Sequence, residues 1–277
     1  MQPEKDLDNN KILHISSLLL PREKYFEEEK KYTGVFSTFE ITNGNQVLYY
    51  FGANHSPDIN NPQYPALKVY WEKFLESSKE RERIVLVEGG LRSLAEDEVI
   101  AIKKGSKGAF ITFLAHKENV PIASPDISDS ELVNKLPDIN REEFLLYWFL
   151  SYVDHFRRIP EPKPDFNEYF IKWSENEKQR ELWDGIDISL EYLKDLYKKV
   201  LGKDFYEKDN HNDIVNPNKT ETRINEIARK QSDLRDANIV KEIENYWKEG
   251  KSIFVVFGRG HLIIEKPALK KVIGLSF

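Results

Sequence analysis

Read from its amino end, the chain alternates short apolar runs with amphipathic stretches. Arg22 to Lys31 is a mixed charge run, with Glu27-Glu-Glu-Lys-Lys31 inside it, and predicts a solvated helix face in a leader or lid. Gly34 to Thr42 and Gln46 to Phe51 have β character, and Asn43-Gly44-Asn45 between them is a turn signal, so the pair predicts a β-hairpin. Between Tyr64 and Glu76, the residues Leu67, Tyr70, Trp71, Phe74 and Leu75 share one helical face. Arg83 to Val87 is a short continuous apolar run, as a strand buried on both faces requires. Helix is expected from about Leu91 to Lys104 and again from Phe110 to Lys117, punctuated by Gly105 and Gly108. A short strand follows at Val120 to Ser124.

The middle differs. Arg141 to Arg158 is a dense apolar and aromatic helix, ended by prolines 160, 162 and 164. Helical patterns dominate from Asp165 to Gly202, and Lys203 to Thr222 is a polar stretch that predicts a loop. The end returns to the first pattern. Ser232 to Trp247 is helical, with Ala237, Val240, Ile243 and Trp247 on one face and Gly250 as the stop. Ser252 to Phe257 is a second buried-type strand, Arg259 to Ile264 starts a short helix, and Lys271 to Phe277 reads as a final edge strand. Strands alternating with helices predict an α/β fold: a mostly parallel central sheet with an N-terminal β-hairpin, flanking helices and a helical insertion or cap. We expect a single α/β domain over 1–277, with the insertion at about 140–220.

Composition narrows the chemistry. The 277 residues contain no Cys, so thiolate metal sites, disulfides and a Cys nucleophile are excluded. The net charge of -6 argues against nucleic acid or a membrane surface as the main partner. No run of 18 apolar residues exists, and Ile12 to Leu20 lacks the basic flank and length of a signal peptide, so a cytoplasmic address is expected. Oligomeric state is not legible.

Several signatures fail. Gly250-Lys-Ser252 lacks the upstream Gly of a phosphate loop, because position 245 is Asn, and it precedes a strand. Gly258-Arg-Gly260 has Ile263 where a dinucleotide loop needs its third Gly. Asp209-Asn-His-Asn-Asp213 continues with Ile214 instead of the Gly of a calcium loop.

One element occurs twice. Tyr49-Tyr-Phe-Gly-Ala-Asn-His55 and Val255-Val-Phe-Gly-Arg-Gly-His261 both run from β character into Phe-Gly-x-x-His. The Gly lets the backbone leave a strand sharply and approach a ligand, and three residues later an imidazole can turn back over the strand end. Glu88 ends the run Ile84-Val-Leu-Val-Glu88, where a carboxylate is costly unless it is paired or bound to metal. Asp126 follows the next strand. His55, Glu88, Asp126 and His261 thus stand at four strand ends, the place where open α/β sheets bind ligands. Two readings stay open. His55, Glu88 and His261 suit zinc, manganese, cobalt or iron with one position free for water, or a His activates water directly while a carboxylate fixes its tautomer. Arg235 or Arg259 near the cleft could hold a carboxylate or oxyanion. His14, His116, His155 and His211 read as helix-surface or loop residues.

Gly52-Ala-Asn-His55, Leu86-Val-Glu88, Arg235-Asp236 and Gly258-Arg-Gly-His261 together resemble the TraB/TIKI superfamily, which takes in erythromycin-esterase-like and ChaN-like proteins. The likeness spans about 34–136 and 222–277. It implies an α/β core with the motif residues in one pocket. His55, Glu88, His261 and Arg235 would be catalytic. Arg259, Asp126 and Asn54 would touch a small-molecule or peptide substrate. His55, Glu88 and His261 would hold any divalent metal. The chain departs from the family pattern at Lys107, where many relatives carry Glu, and at Asp126, where Glu is common. The implied activity is hydrolysis of an ester or amide bond by a metal-bound or His-activated water. The competing reading is a binding protein for haem or a small anion that uses the same pocket.

Overall fold

The computed structural model describes residues 10–159 and 161–274. They divide into two compact units, 1–127 with 233–277, and 128–232.

The first unit is built on a five-stranded sheet in the order β1-β2-β5-β3-β4, formed by Phe36–Thr42 (β1), Val47–Ala53 (β2), Arg83–Val87 (β3), Ile122–Ala123 (β4) and Ser252–Gly258 (β5). The β1–β2 pair is antiparallel and joined through the Asn43-Gly44 turn, where Asn43 accepts from the N–H groups of Asn45 and Gln46. Every other pairing is parallel. Strand β5 lies at the centre and is buried along its whole length, which is why it reads as an unbroken apolar run. On one face, Trp71 and Phe74 of the helix Gln63–Ser77 pack against Tyr49 and Phe254. This confirms the α/β class and the mostly parallel sheet.

Local details differ from expectation for identifiable reasons. The helix after β3 starts at Glu98 instead of Leu91, because Gly89 and Gly90 turn the chain at φ 77° and 84° and Asp97 caps the helix by accepting from the Ile100 N–H at 2.7 Å. That helix continues through both glycines to Lys117, broken only at Ser106, whose backbone is left-handed (φ 52°, ψ −143°). Strand β4 is shorter than expected; Pro121 has no N–H to give, and its carbonyl accepts from Val85 instead. The helix expected from Ser232 begins at Arg223, so Arg235 and Asp236 lie in mid-helix and do not open it. No edge strand forms at Lys271. Arg259–Val272 is one helix that buries Leu262, Ile263, Ile264, Ala268 and Leu269, and residues 275–277 lie outside the described ones.

The second unit is helical. Arg141–Arg157, Phe166–Lys178 and Leu190–Leu201 close on an aromatic core that includes Phe144, Phe149, Trp173, Trp183 and Tyr197. The polar stretch 203–222 contains a short helix, Asn212–Val215. His211, expected at the surface, is fully buried and stacks on Phe205 at 5.3 Å. Its pKa is lowered by that burial. The unit runs from Ser128 to Ser232, a wider span than 140–220.

Candidate functional site

The twin motif works through sheet order. Strands β2 and β5 are parallel neighbours in register Gly52↔Phe257 and Ala53↔Gly258, so both His residues leave the sheet at the same end. Strand β3 flanks β5 on its other side, with Val87 opposite Val256, and delivers Glu88 there. The two motif glycines do different jobs. A Cβ on Gly52 would lie 3.0 Å from the Leu262 side chain and 3.1 Å from Arg259 Cα, so this Gly admits the helix Arg259–Val272 against the strand. Gly258 instead donates its N–H to Glu88 Oε2 at 2.8 Å.

Glu88 is the hub. Its Oε1 is 3.7 Å from His55 Nε2 and 3.6 Å from His261 Nε2, and its Oε2 is 2.9 Å from Lys107 Nζ. Lys107 Nζ also lies 3.0 Å from His55 Nε2. Burial favours the neutral acid, but the approach of His261 and His55 and the Lys107 charge outweigh it and hold Glu88 well below the usual carboxylate range. Burial lowers the Lys107 pKa, and Glu88 offsets part of that shift. The break at Ser106 is what turns Lys107 inward. The Ser106 hydroxyl donates to the Ser56 carbonyl at 2.8 Å and accepts from the Ser56 N–H at 3.2 Å, tying the helix to the His55 loop.

Behind His261 sits a buried charge network. Its Nδ1 hydrogen-bonds Asp236 Oδ1 at 2.5 Å, and Asp236 also pairs with the Arg22 guanidinium. Burial alone would lower the His261 pKa; the Asp236 charge and hydrogen bond, then Glu88, push it up to about 10. Burial raises Asp236, but Arg22, His261 and Arg235 together bring it below its ordinary value. Glu265, one helical turn past His261, is fully buried beside Asp236, and both effects raise its pKa well above the carboxylate range. It accepts from the Tyr50 hydroxyl at 2.9 Å.

An open cleft of about 290 Å³ lies over this arrangement, lined by Tyr25, Asn54, His55, Glu88, Arg259 and His261 among others. His55, Glu88, His261, Asn54 and Arg259 therefore come together as the sequence suggested. Arg259 is partly engaged, donating to the Gly34 carbonyl at 2.8 Å. Arg235 and Asp126 do not line the cleft. They bind each other at 2.7 Å, and the second Asp126 oxygen takes the Gly89 N–H, which braces the turn after Glu88. Asp126 and burial pull the Arg235 pKa in opposite directions, and the net shift is upward. Sequence reasoning missed the roles of Lys107, Asp236, Arg22, Glu265 and Tyr50. Asp236 belongs to the Arg235-Asp236 pair of the sequence reading, without a role there, and Glu265 follows His261 at i+4, but nothing in the sequence ties Arg22 to a site more than 200 residues away.

A divalent metal does not fit the predicted trio. The Lys107 ammonium already sits 2.9 Å from Glu88 Oε2 and 3.0 Å from His55 Nε2, and a second cation there would meet it at ion-pair range. Among the described residues, Asp236, His261 and Glu265 offer ligand atoms within 4.8 Å of one another. That group already shares Arg22 and the His261 proton, and its burial beside Asp236 disfavours the ionised form of Glu265.

Compared with family models, curated proteins and solved structures, the chain matches none. No helix among the described residues is long and apolar enough to cross a membrane.

The network makes a prediction about pH. A pKa raised by folding means that His261 stabilises the fold fully below the unfolded imidazole value near ~6.5. That contribution is lost as pH rises through about 10. Thermal midpoints are expected to fall between pH 7 and 10, and a His261→Gln variant is expected to start lower and change less over the same window. Parallel curves for the two proteins would show that His261 does not carry this term.

Proposed function

We propose that the chain is a cytoplasmic hydrolase of the TraB/TIKI type that cleaves an ester or amide bond with a His-activated water. The observation behind this is the pairing of His55, exposed at the cleft, with the half-buried Glu88 and His261 and the buried Lys107. The side chain of His55 is 70% exposed and that of Lys107 only 3%. His55 Nδ1 takes the proton from the attacking water and returns it to the leaving oxygen or nitrogen, with its Nε2–H directed at Glu88 Oε1 and Lys107 bonded to Glu88 Oε2. The His261 imidazolium, held by Asp236, offers its Nε2–H to the carbonyl oxygen as negative charge develops there. His261, His55 and Lys107 together keep Glu88 ionised, and Lys107 provides the positive charge that a metal would otherwise supply. Arg259, at the cleft wall, steadies an anionic part of a small-molecule or peptide substrate.

The test is a panel of p-nitrophenyl esters and amides with wild-type protein and His55→Ala. Turnover by the wild type and none by the variant supports the reading; no turnover of any panel member, or equal turnover by both proteins, removes it. A second test bears on the cation. Lys107→Glu exchanges the resident ammonium for a carboxylate and is expected to create a Mn²⁺ or Zn²⁺ site, at least about tenfold tighter than any in the wild type. Isothermal titration of both proteins checks this, and tight metal binding by the wild type itself would contradict the role given to Lys107.

A further inference from the structure

Beyond the cleft, a second cavity of about 330 Å³ lies between the turn after Glu88 and the helix Glu98–Lys117. Leu94, Ile100, Ala101 and Ala109 give it apolar walls. Arg92 and Lys104 also line it, against one acid, Glu96. Among the described residues, neither Arg92 nor Lys104 has an ion-pair or hydrogen-bond partner. The Arg92 guanidinium lies against the backbone instead, where a Cβ on Gly89 would come within 2.6 Å of its Nη2 and one on Gly108 within 3.8 Å of its Nε. Leu91 and Leu94 stand 67% and 51% exposed on the same turn, an apolar surface without cover.

From this we infer that the cavity is a binding site for a small apolar acid, an alkyl or aryl carboxylate, with its body on the apolar walls and its charge on Arg92 and Lys104. Unpaired guanidinium and ammonium groups beside a concave apolar surface match an anion with an apolar body and reject a cation. The site is also linked to the cleft. Gly105 lines the cavity, Lys107 holds Glu88, and Ser106 between them carries the left-handed backbone and the hydroxyl contacts to Ser56, next to His55. Strain of this kind persists where the surroundings hold it, so a ligand pressing on Gly105 shifts Lys107 and His55 together. The binding claim stands apart from the hydrolase reading.

The probe is octanoate, compared with octan-1-ol and octylamine, titrated into the full chain by calorimetry. Octanoate is expected to bind, with octylamine showing no heat. An Arg92→Glu/Lys104→Glu variant, both positions being exposed, is expected to weaken octanoate about tenfold or more, as loss of charge-assisted bonds does. Arg259→Ala, at the cleft wall and away from this cavity, should leave that affinity unchanged, and the His55 ring resonances should move on octanoate binding. The proposal is overturned if octanoate does not bind, if all three probes bind alike, or if Arg259→Ala removes binding, which would place the probe in the cleft. An immobile His55 spectrum would overturn the link.

Discussion

Replacing Asp236 with Ala is expected to cost about 3–5 kcal/mol of folding stability, the range for removing one partner from a buried charge pair. Asp236 is 1% exposed and faces Arg22, His261 and Arg235 from the middle of the helix Arg223–Lys248. Without it, Arg22 stays buried with only Asp233, at 2.7 Å, to balance it. His261 loses the main source of its raised pKa. Glu265 limits the damage. Asp236 is part of what raises its pKa, so its loss lets Glu265 ionise more readily beside His261. Asp236→Asn keeps the volume and one of the two acceptor oxygens, and should cost less than Ala. Urea unfolding measures both. A lower midpoint with unchanged slope is expected; a loss below about 1 kcal/mol would mean the network does not hold the site.

The second large effect is on catalysis. His55→Ala is expected to lower kcat on any ester the wild type hydrolyses by about 10²–10⁴-fold, the contribution of a positioned general base. Because His55 is exposed, stability should stay within about 0.5 kcal/mol of wild type. Lys107 loses one contact but keeps Glu88. This combination separates catalysis from scaffolding: an inactive scaffold whose motifs serve folding would lose stability here and have no activity to lose. Steady-state rates with a matched melting curve decide it.

The parts of the site that lie next to a strand end were legible. Phe-Gly-x-x-His appears twice because β2 and β5 are adjacent and parallel, and Glu88 was visible because a carboxylate ending an apolar run needs a partner. The hairpin and β5 were legible for the same reason, since local periodicity reports burial directly. What the sequence hid depends on contacts distant along the chain. Arg22 sits in a charge-rich leader that looks solvated, yet it is buried against Asp236. Lys107 stood out only as a departure from a pattern, and its meaning rests on the Ser106 break, which no periodicity announces. Asp126 and Arg235 were both noticed, but they satisfy each other instead of facing the cleft. Helix starts were misread where a cap or a glycine pair outweighed the apolar pattern, as at Asp97.

The central claim is that Lys107, not a metal, provides the positive charge at a His-activated site. The most direct test is ester hydrolysis by exhaustively chelated wild-type protein, with elemental analysis of the same sample. Full activity with no stoichiometric metal is expected. Activity lost on chelation and restored by Mn²⁺ or Zn²⁺ would contradict it.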